Sequence, residues 1–368
     1  MKCYKIDIVL TEKCNLSCVY CFERKKSCVS ASVNNIKKII SEEFKTIPLD
    51  MKVQVEFHGG EVLCAFEELK YICEWLWSTY TNRLYYVCFR TNGTLMHGHI
   101  AEWFEKNHES IRVGLSLDGT ERMQNVNRNG SFSLIDIDFF RRFWPLENLK
   151  MTITPDTIGY VSEGVKYLHS LGFPIISNLA DGVVWGAKYT KVYFEQLQDL
   201  VKWYVKNKHI CPASLLTPPI DRIGRMDRGY CFSHDCKWCE AGEANRIAYS
   251  VCGNRYPCVG FISSAIEDEE SWQKINFSKF EIFKDPKCSG CKFFGACATC
   301  CAQNLYYRGN VAFRDEQLCK FRKLEIISSA RMYGKMLQDV KSYECLKTRC
   351  DTELSDLARG CITILKEL

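Results

Sequence analysis

Thr11-Glu12-Lys13-Cys14-Asn15-Leu16-Ser17-Cys18-Val19-Tyr20-Cys21-Phe22 places three cysteines at the spacing C-x3-C-x2-C, directly after the β-branched run Tyr4–Leu10. That spacing gathers three thiolates on one compact loop. A closed [4Fe–4S] cluster takes four cysteines, so three leave one iron open. An open coordination position is what a catalytic metal centre needs. The competing interpretation is a structural zinc loop with a distant fourth ligand, although zinc loops usually pair two C-x2-C or Cys/His halves.

The loop belongs to a chain of 368 residues with 23 cysteines, about one residue in sixteen. Disulfide-rich chains are typically short and secreted. This one is long, its cysteine number is odd, and Met1-Lys2-Cys3-Tyr4-Lys5 lacks the layout of a signal peptide. No apolar run approaches the ~18 residues a membrane helix needs. A hydrophobic share of 46% supplies a core, and a net charge of +5 is mild for this length. The expectation is a soluble, cytoplasmic, metal-binding protein without nucleic-acid or membrane partners.

Outward from the cysteine loop, short β-branched or aromatic runs alternate with helix-patterned segments. Strands are expected at Tyr4–Leu10, Lys52–Phe57, Leu84–Phe89, Arg112–Leu117, Leu149–Ile153 and Ile175–Ala180, and helices near 32–46, 66–80, 97–107, 133–143, 160–171 and 189–206. Such alternation implies βαβ crossovers and a parallel sheet. The expected fold class is therefore α/β: a partial (βα)6 TIM-like barrel followed by a small cysteine-rich domain, an iron–sulfur domain by the family resemblance that follows. The barrel is assigned to 1–210, the auxiliary domain to 211–325 and a C-terminal helical tail to 326–368. Residues 211–320 are dense in Cys, Gly and Lys with little periodicity, so bound metal is expected to supply stability there.

The cysteine triplet, with Tyr20 before its last member and a strand before the loop, resembles the radical S-adenosylmethionine (SAM) superfamily. The resemblance implies a cluster on Cys14, Cys18 and Cys21 whose open iron chelates SAM and cleaves it to a 5′-deoxyadenosyl radical. His58-Gly59-Gly60-Glu61 is similar to the family's GGE motif, which meets the methionine amino group. Thr91-Asn92-Gly93 and Ser116-Leu117-Asp118-Gly119 close the third and fourth strands, where parallel α/β sheets bind ligands. By resemblance, Thr91, Asn92 and Ser116 place the cofactor. Asp118 either reaches a ribose hydroxyl or serves its turn, and Arg128 either pairs with the methionine carboxylate or is an exposed loop arginine.

Downstream, Cys288, Cys291, Cys297 and Cys301 run C-x2-C-x5-C-x3-C, and Cys319 follows. This resembles the SPASM extension, opened by Cys239-Glu240-Ala241-Gly242 and Tyr256-Pro257-Cys258. The resemblance implies two auxiliary [4Fe–4S] clusters, three in all. Cys288, Cys291, Cys297 and Cys319 would hold one; Cys239, Cys258 and Cys301 would hold the other, with Cys236 as fourth ligand and Cys231, Cys252 or an open iron as alternatives. Paired C-x2-C motifs would also suit zinc.

Relatives of this kind modify ribosomal peptides or proteins, so the expected function is a peptide maturase installing a thioether, C–C or C–O crosslink. The expected partners are a ribosomal precursor peptide and a reduced flavodoxin or ferredoxin. The layout is close to the anaerobic sulfatase maturases, but Val259 stands where that subgroup has an aspartate base, which leaves the catalytic base unassigned. A sulfatase-type or small-molecule dehydrogenase, or a non-catalytic metal scaffold, are the alternatives. The chain begins within four residues of the first strand, so a leader-gripping module is expected to be absent. Trp75, Trp77, Tyr85, Tyr86, Trp185, Tyr189 and Tyr193 are read mainly as core, with a peptide groove as the other use.

Overall fold

In β1 (Cys3–Thr11), Ile6, Ile8 and Leu10 are buried and Lys5 and Asp7 point the other way, so the two-residue period divides an apolar from a polar face. The same division runs through β2 (Lys52–Gly59), β3 (Tyr85–Thr91) and β4 (Ile111–Leu115). The computed structural model describes residues 3–23, 26–229, 239–262 and 272–367. These four strands pair parallel in the order β4-β3-β2-β1. The chain divides into two compact units.

The first unit comprises Met1–Leu117, Arg128–Leu149 and Cys239–Ser278. Its apolar sheet face, built from Ile6, Ile8, Val53, Val55, Phe57, Val87, Phe89, Ile111 and Val113, is buried. The helices α1 (Val33–Thr46), α2 (Phe66–Thr79) and α3 (Gly98–Asn107) carry the matching stripes. Ile36, Ile39, Ile40 and Phe44 of α1 recur at helical spacing. Phe104 meets Phe89 with ring centroids 5.6 Å apart, and Phe44 meets Tyr85 at the same distance. The other face carries Lys5, Asp7, Gln54, Glu56, His58, Tyr86, Cys88, Arg90 and Arg112.

Beyond Leu117 come α4 (Glu121–Asn127) and α5 (Ile137–Phe143), then β5 (Leu149–Ile153). α6 (Val161–Ser170), β6 (Ile175–Leu179) and α7 (Tyr189–Lys206) follow. The six expected strands are all present within two residues of their expected ends. They do not form one ladder: β5 and β6 pair as a separate two-stranded sheet. The second unit holds Asp118–Asn127, Lys150–Trp238 and Lys279–Leu368. It also contains α8 (Ile220–Asp227), α9 (Cys301–Arg308), α10 (Glu316–Met336), α11 (Glu344–Lys347) and α12 (Asp351–Leu365). Asp315 caps α10 by accepting from the N–H groups of Gln317 and Leu318.

A strand that periodicity did not announce is β7 (Arg246–Tyr249). It pairs parallel with β1 in the register Lys5↔Arg246, and the short β8 (Arg255–Tyr256) pairs antiparallel to it. The opening of the cysteine-rich segment thereby extends the first sheet. Among the aromatics considered for a groove, only Tyr86 stands on the polar sheet face. Trp77 stacks on Trp103, Trp185 packs on Phe321, and Tyr193 is buried with its hydroxyl 2.6 Å from Glu325. No helix among the described residues is long and apolar enough to cross a membrane.

Candidate active site

The chain that carries the cysteine triplet leaves the end of β1 and returns to it. Thr11 bridges Ser30, Glu12 N–H donates to the Val29 carbonyl at 2.9 Å, and Ala31 N–H donates to the Leu10 carbonyl at 2.8 Å. Cys14, Cys18 and Cys21 are all half-buried. Cys14 Sγ accepts from Leu16 N–H at 3.5 Å. Burial pushes the Cys21 thiol above its usual range, against the pull of Lys26. Soft sulfur donors with an N–H aimed at one of them fit an iron–sulfur cluster.

The loop rests on the glycine turn after β2. Gly60 N–H donates to the Thr11 carbonyl at 3.0 Å and Glu61 N–H to the Lys13 carbonyl at 2.7 Å. A Cβ on Gly59 would lie 2.5 Å from the Thr11 carbonyl oxygen. The two glycines therefore seat the cysteine loop backbone, a role additional to the cofactor approach that the resemblance implies.

Glu61 is 3% exposed. Its Oε1 accepts from the Thr91 hydroxyl at 2.6 Å and Leu63 N–H at 3.1 Å, and its Oε2 accepts from Asn92 N–H at 2.7 Å. Burial pushes its pKa up, while these donors and the Arg128 charge pull it down. A buried carboxylate on three donors suits a further cation such as an ammonium group. Asn92 Nδ2 donates to Asn15 at 2.9 Å, and Asn15 Nδ2 donates to the Thr94 hydroxyl at 2.7 Å, tying the loop to the end of β3. Ser116 N–H donates to the Thr91 carbonyl at 2.9 Å. The Arg128 guanidinium lies 5.3 Å from the Tyr20 ring centroid and is buried, so it is no exposed loop residue.

Gly59, Gly60, Glu61, Thr91, Asn92, Ser116 and Arg128 all belong to the unit that holds the triplet. Asp118 belongs to the other unit and is fully buried. Its Oδ1 accepts from Thr152 N–H at 2.8 Å and its Oδ2 from Asn127 Nδ2 at 3.2 Å, so it braces the end of β5. Sequence reasoning missed Asn15, Thr94 and Cys64. Cys64 lies near enough to Cys14 for their charges to interact. Asn15, adjoining Cys14, was the member of this group with a positional signal.

In the second unit, Cys288, Cys291 and Cys319 line a cleft of about 540 Å³ together with Lys287, Lys292, Lys320, Lys323 and Arg314. Cys297 adjoins them, interacting with Cys288 and Cys319 by charge. Arg314 Nη1 donates to Cys297 Sγ and to its carbonyl, both at 2.8 Å. Arg314 Nε and Nη2 are buried without hydrogen-bond partners among the described residues. Four gathered thiols facing unsatisfied guanidinium donors fit an anionic cluster. Cys301 opens α9 and is buried, whereas Cys300 is exposed. Cys239 and Cys258 are half-buried in the first unit. Cys231 and Cys236 lie outside the described residues, and Cys252 is exposed.

Residues 8–201 match the family model of the radical SAM superfamily. A cysteine-type anaerobic sulfatase-maturating enzyme of Clostridium perfringens is 26% identical over 181 residues, 44% of this chain and 47% of that protein. The radical SAM cyclopropyl synthase TigE of Paramaledivibacter caminithermalis is 21% identical over 357 residues, 87% of this chain and 72% of that protein. A solved structure of native anSMEcpe with bound AdoMet and Cp18Cys peptide superposes with a TM-score of 0.68 at 20% identity, covering 90% of this chain and 98% of that one. The chain spans about half the length of the first curated relatives it matches. A family match over more than half the chain coincides with the cysteine loop and glycine turn described above: the protein belongs to the radical SAM superfamily, and is an enzyme of SAM and iron–sulfur chemistry.

Proposed function

We propose that this enzyme is a peptide maturase that installs an oxidative crosslink, a thioether or a C–C or C–O bond, in a ribosomally made peptide. The observation that carries this reading is the polar face of the first sheet, which runs under the strand ends that bear the cysteine loop. A face offering Lys5, Gln54, Glu56, Tyr86, Arg90 and Arg112 supplies the donors and acceptors that an extended backbone requires. Likeness to a cyclopropyl synthase over most of the chain, and to a fold solved with a bound peptide, supports it.

In this reading Cys14, Cys18 and Cys21 hold the SAM-cleaving cluster, and Gly60, Glu61, Thr91, Asn92, Ser116 and Arg128 orient the SAM methionine. Cys288, Cys291, Cys297 and Cys319 hold one auxiliary cluster. When bound, these groups supply one-electron SAM cleavage, hydrogen abstraction and an electron outlet. The lysine rim of the second-unit cleft suits an acidic one-electron carrier of the flavodoxin or ferredoxin class. Oxidation of a single cysteine or serine is the second reading, favoured by the similarity to the Clostridium enzyme and opposed by Val259.

Anaerobic co-expression with a short cysteine-rich peptide encoded beside the gene tests this. The expected product is two hydrogen atoms lighter per modification, and deuterium from the attacked position appears in 5′-deoxyadenosine. Replacing Cys14, Cys18 and Cys21 together by Ala abolishes 5′-deoxyadenosine formation. An unchanged peptide mass with an inverted stereocentre would instead make the enzyme an epimerase.

A further inference from the structure

Three strands of the first sheet converge on a charged group that the SAM site does not use. Asp7 of β1 is fully buried. Its Oδ2 accepts from Arg246 of β7, from Nε at 2.9 Å and Nη2 at 2.7 Å. Its Oδ1 lies 3.4 Å from His58 Nε2 of β2, and Glu56 Oε1 lies 3.8 Å from the same nitrogen. Asp7, Glu56 and His58 form a set of donor atoms within 4.8 Å of one another, the spacing of a cation site. Arg246 already supplies the positive charge there, so a divalent ion would be set against a guanidinium. The arrangement is better suited to holding a proton.

Asp7, clamped by Arg246, fixes which His58 nitrogen carries hydrogen: Nε2 faces the carboxylates and donates. Nδ1 has no hydrogen-bond partner among the described residues, and the side chain is 27% exposed. A buried carboxylate behind one ring nitrogen and an open lone pair on the other is the geometry of a general base. His58 directly precedes Gly59 and Gly60, which seat the cysteine loop, so it lies beside the SAM end of the sheet.

We infer that His58 is the proton acceptor of the bond-forming step, with Asp7 and Arg246 as its positioning residues. The inference rests on the peptide-maturase reading. In the step, a substrate C–H bond breaks and its hydrogen atom goes to the 5′-deoxyadenosyl carbon. A substrate S–H, O–H or aromatic C–H loses its proton, which His58 Nδ1 takes. The new C–X bond would form as the surplus electron leaves, an outlet that a bound, oxidised [4Fe–4S] cluster would supply. His58 fills the place that Val259 leaves without a base. The surroundings favour the acceptor: burial lowers the His58 pKa, but the hydrogen bond to Asp7 and the charges of Glu56 and Asp7 outweigh it and raise it overall. Arg246 opposes this, and Cys88 and Arg90 of β3 flank Glu56 on its far side.

The test separates hydrogen abstraction from closure. With the reconstituted holoenzyme and the neighbouring co-expressed peptide, deuterated at the attacked position, His58→Gln should form labelled 5′-deoxyadenosine at the wild-type rate while crosslinked peptide per 5′-deoxyadenosine falls at least tenfold. Wild-type coupling rises with pH to a plateau, and Asp7→Asn moves its midpoint to lower pH, which a purely structural role would not do. A second readout needs no turnover: the pH dependence of diethyl pyrocarbonate modification at residue 58, by mass spectrometry, has its midpoint above that of an ordinary histidine and falls in Asp7→Asn. Wild-type coupling in His58→Gln, or a midpoint unmoved by Asp7→Asn, overturns the assignment and leaves the maturase reading standing. A wild-type enzyme that leaves the peptide mass unchanged overturns that reading and the inference together.

Discussion

A Cβ placed on Gly60 would stand 2.5 Å from the carbonyl oxygen of Lys13, so the turn after β2 and the start of the cysteine loop touch backbone to backbone. It would also stand 2.9 Å from the Cys14 Cβ. Neither contact can be relieved by rotating a flexible side chain. Gly60→Ala should cost about 1–3 kcal/mol as an overpacked contact and displace Cys14. The expected outcome is a folded protein whose N-terminal cluster is lost or slowed, seen as reduced iron and at least tenfold less 5′-deoxyadenosine. Wild-type iron content and cleavage in this variant would show that the contact does not set the loop.

In the second unit, Gly224 of α8 meets the backbone of α12. A Cβ there would lie 1.9 Å from the Asp356 carbonyl oxygen, and one on Gly360 would lie 2.2 Å from the Ile220 carbonyl oxygen. Gly224→Ala should force the helices apart at a cost of about 3 kcal/mol, lowering the melting temperature by roughly 6–12 °C. Calorimetry of the variant measures this directly. A change of under one degree would mean that the helices slide freely.

The elements that announced themselves were those with clean periods. Ile6, Ile8 and Leu10 mark β1, and Ile36, Ile39, Ile40 and Phe44 mark α1. β7 did not, because Arg246-Ile247-Ala248-Tyr249 is four residues long, shows no full alternation, and sits among glycines and cysteines. Its strand state comes from the partner edge that β1 offers, a tertiary effect. Likewise the cysteine loop was legible because its donors are local in sequence. The Asp7–His58–Arg246 group was not, because its members stand 51 and 239 positions from Asp7 and meet only through strand register. Val259 was the visible half of that absence of a base; the other half required three dimensions.

Stability should carry the signature of the Asp7–His58 pair. The Asp7 pKa is raised by burial but lowered overall by His58 and Arg246, so its contribution is present at neutral pH and lost as pH falls below its ordinary 3.8. The His58 pKa is raised above its ordinary 6.5. Its contribution is complete below that value and lost as pH rises through the folded pKa. As pH rises from the ordinary 6.5 through the raised folded pKa, the wild type should therefore lose stability that Asp7→Asn no longer has to lose. Parallel slopes for the two proteins in thermal melts would show that the pair is uncoupled.

Arg314 should decide whether the second-unit thiols hold a cluster. Its guanidinium reaches both Sγ and the carbonyl of Cys297, and its remaining nitrogens are buried without hydrogen-bond partners among the described residues. Burial pushes the Cys297 thiol up to about 11 despite this cation, so removing the cation makes the thiolate still harder to form. An iron–sulfur cluster with its thiolates is anionic, and hydrogen bonds to its sulfurs both hold it and set its potential. Arg314→Met should therefore lose about four irons per chain while SAM cleavage by the N-terminal cluster persists, so that 5′-deoxyadenosine forms without crosslinked peptide. Arg314→Lys keeps the charge and should restore part of the iron. Cys291→Ala and Cys319→Ala should lose the same irons, which ties the loss to this cleft. If Arg314→Met retains full iron and an unchanged reduction potential, Arg314 neither holds the cluster nor sets its potential.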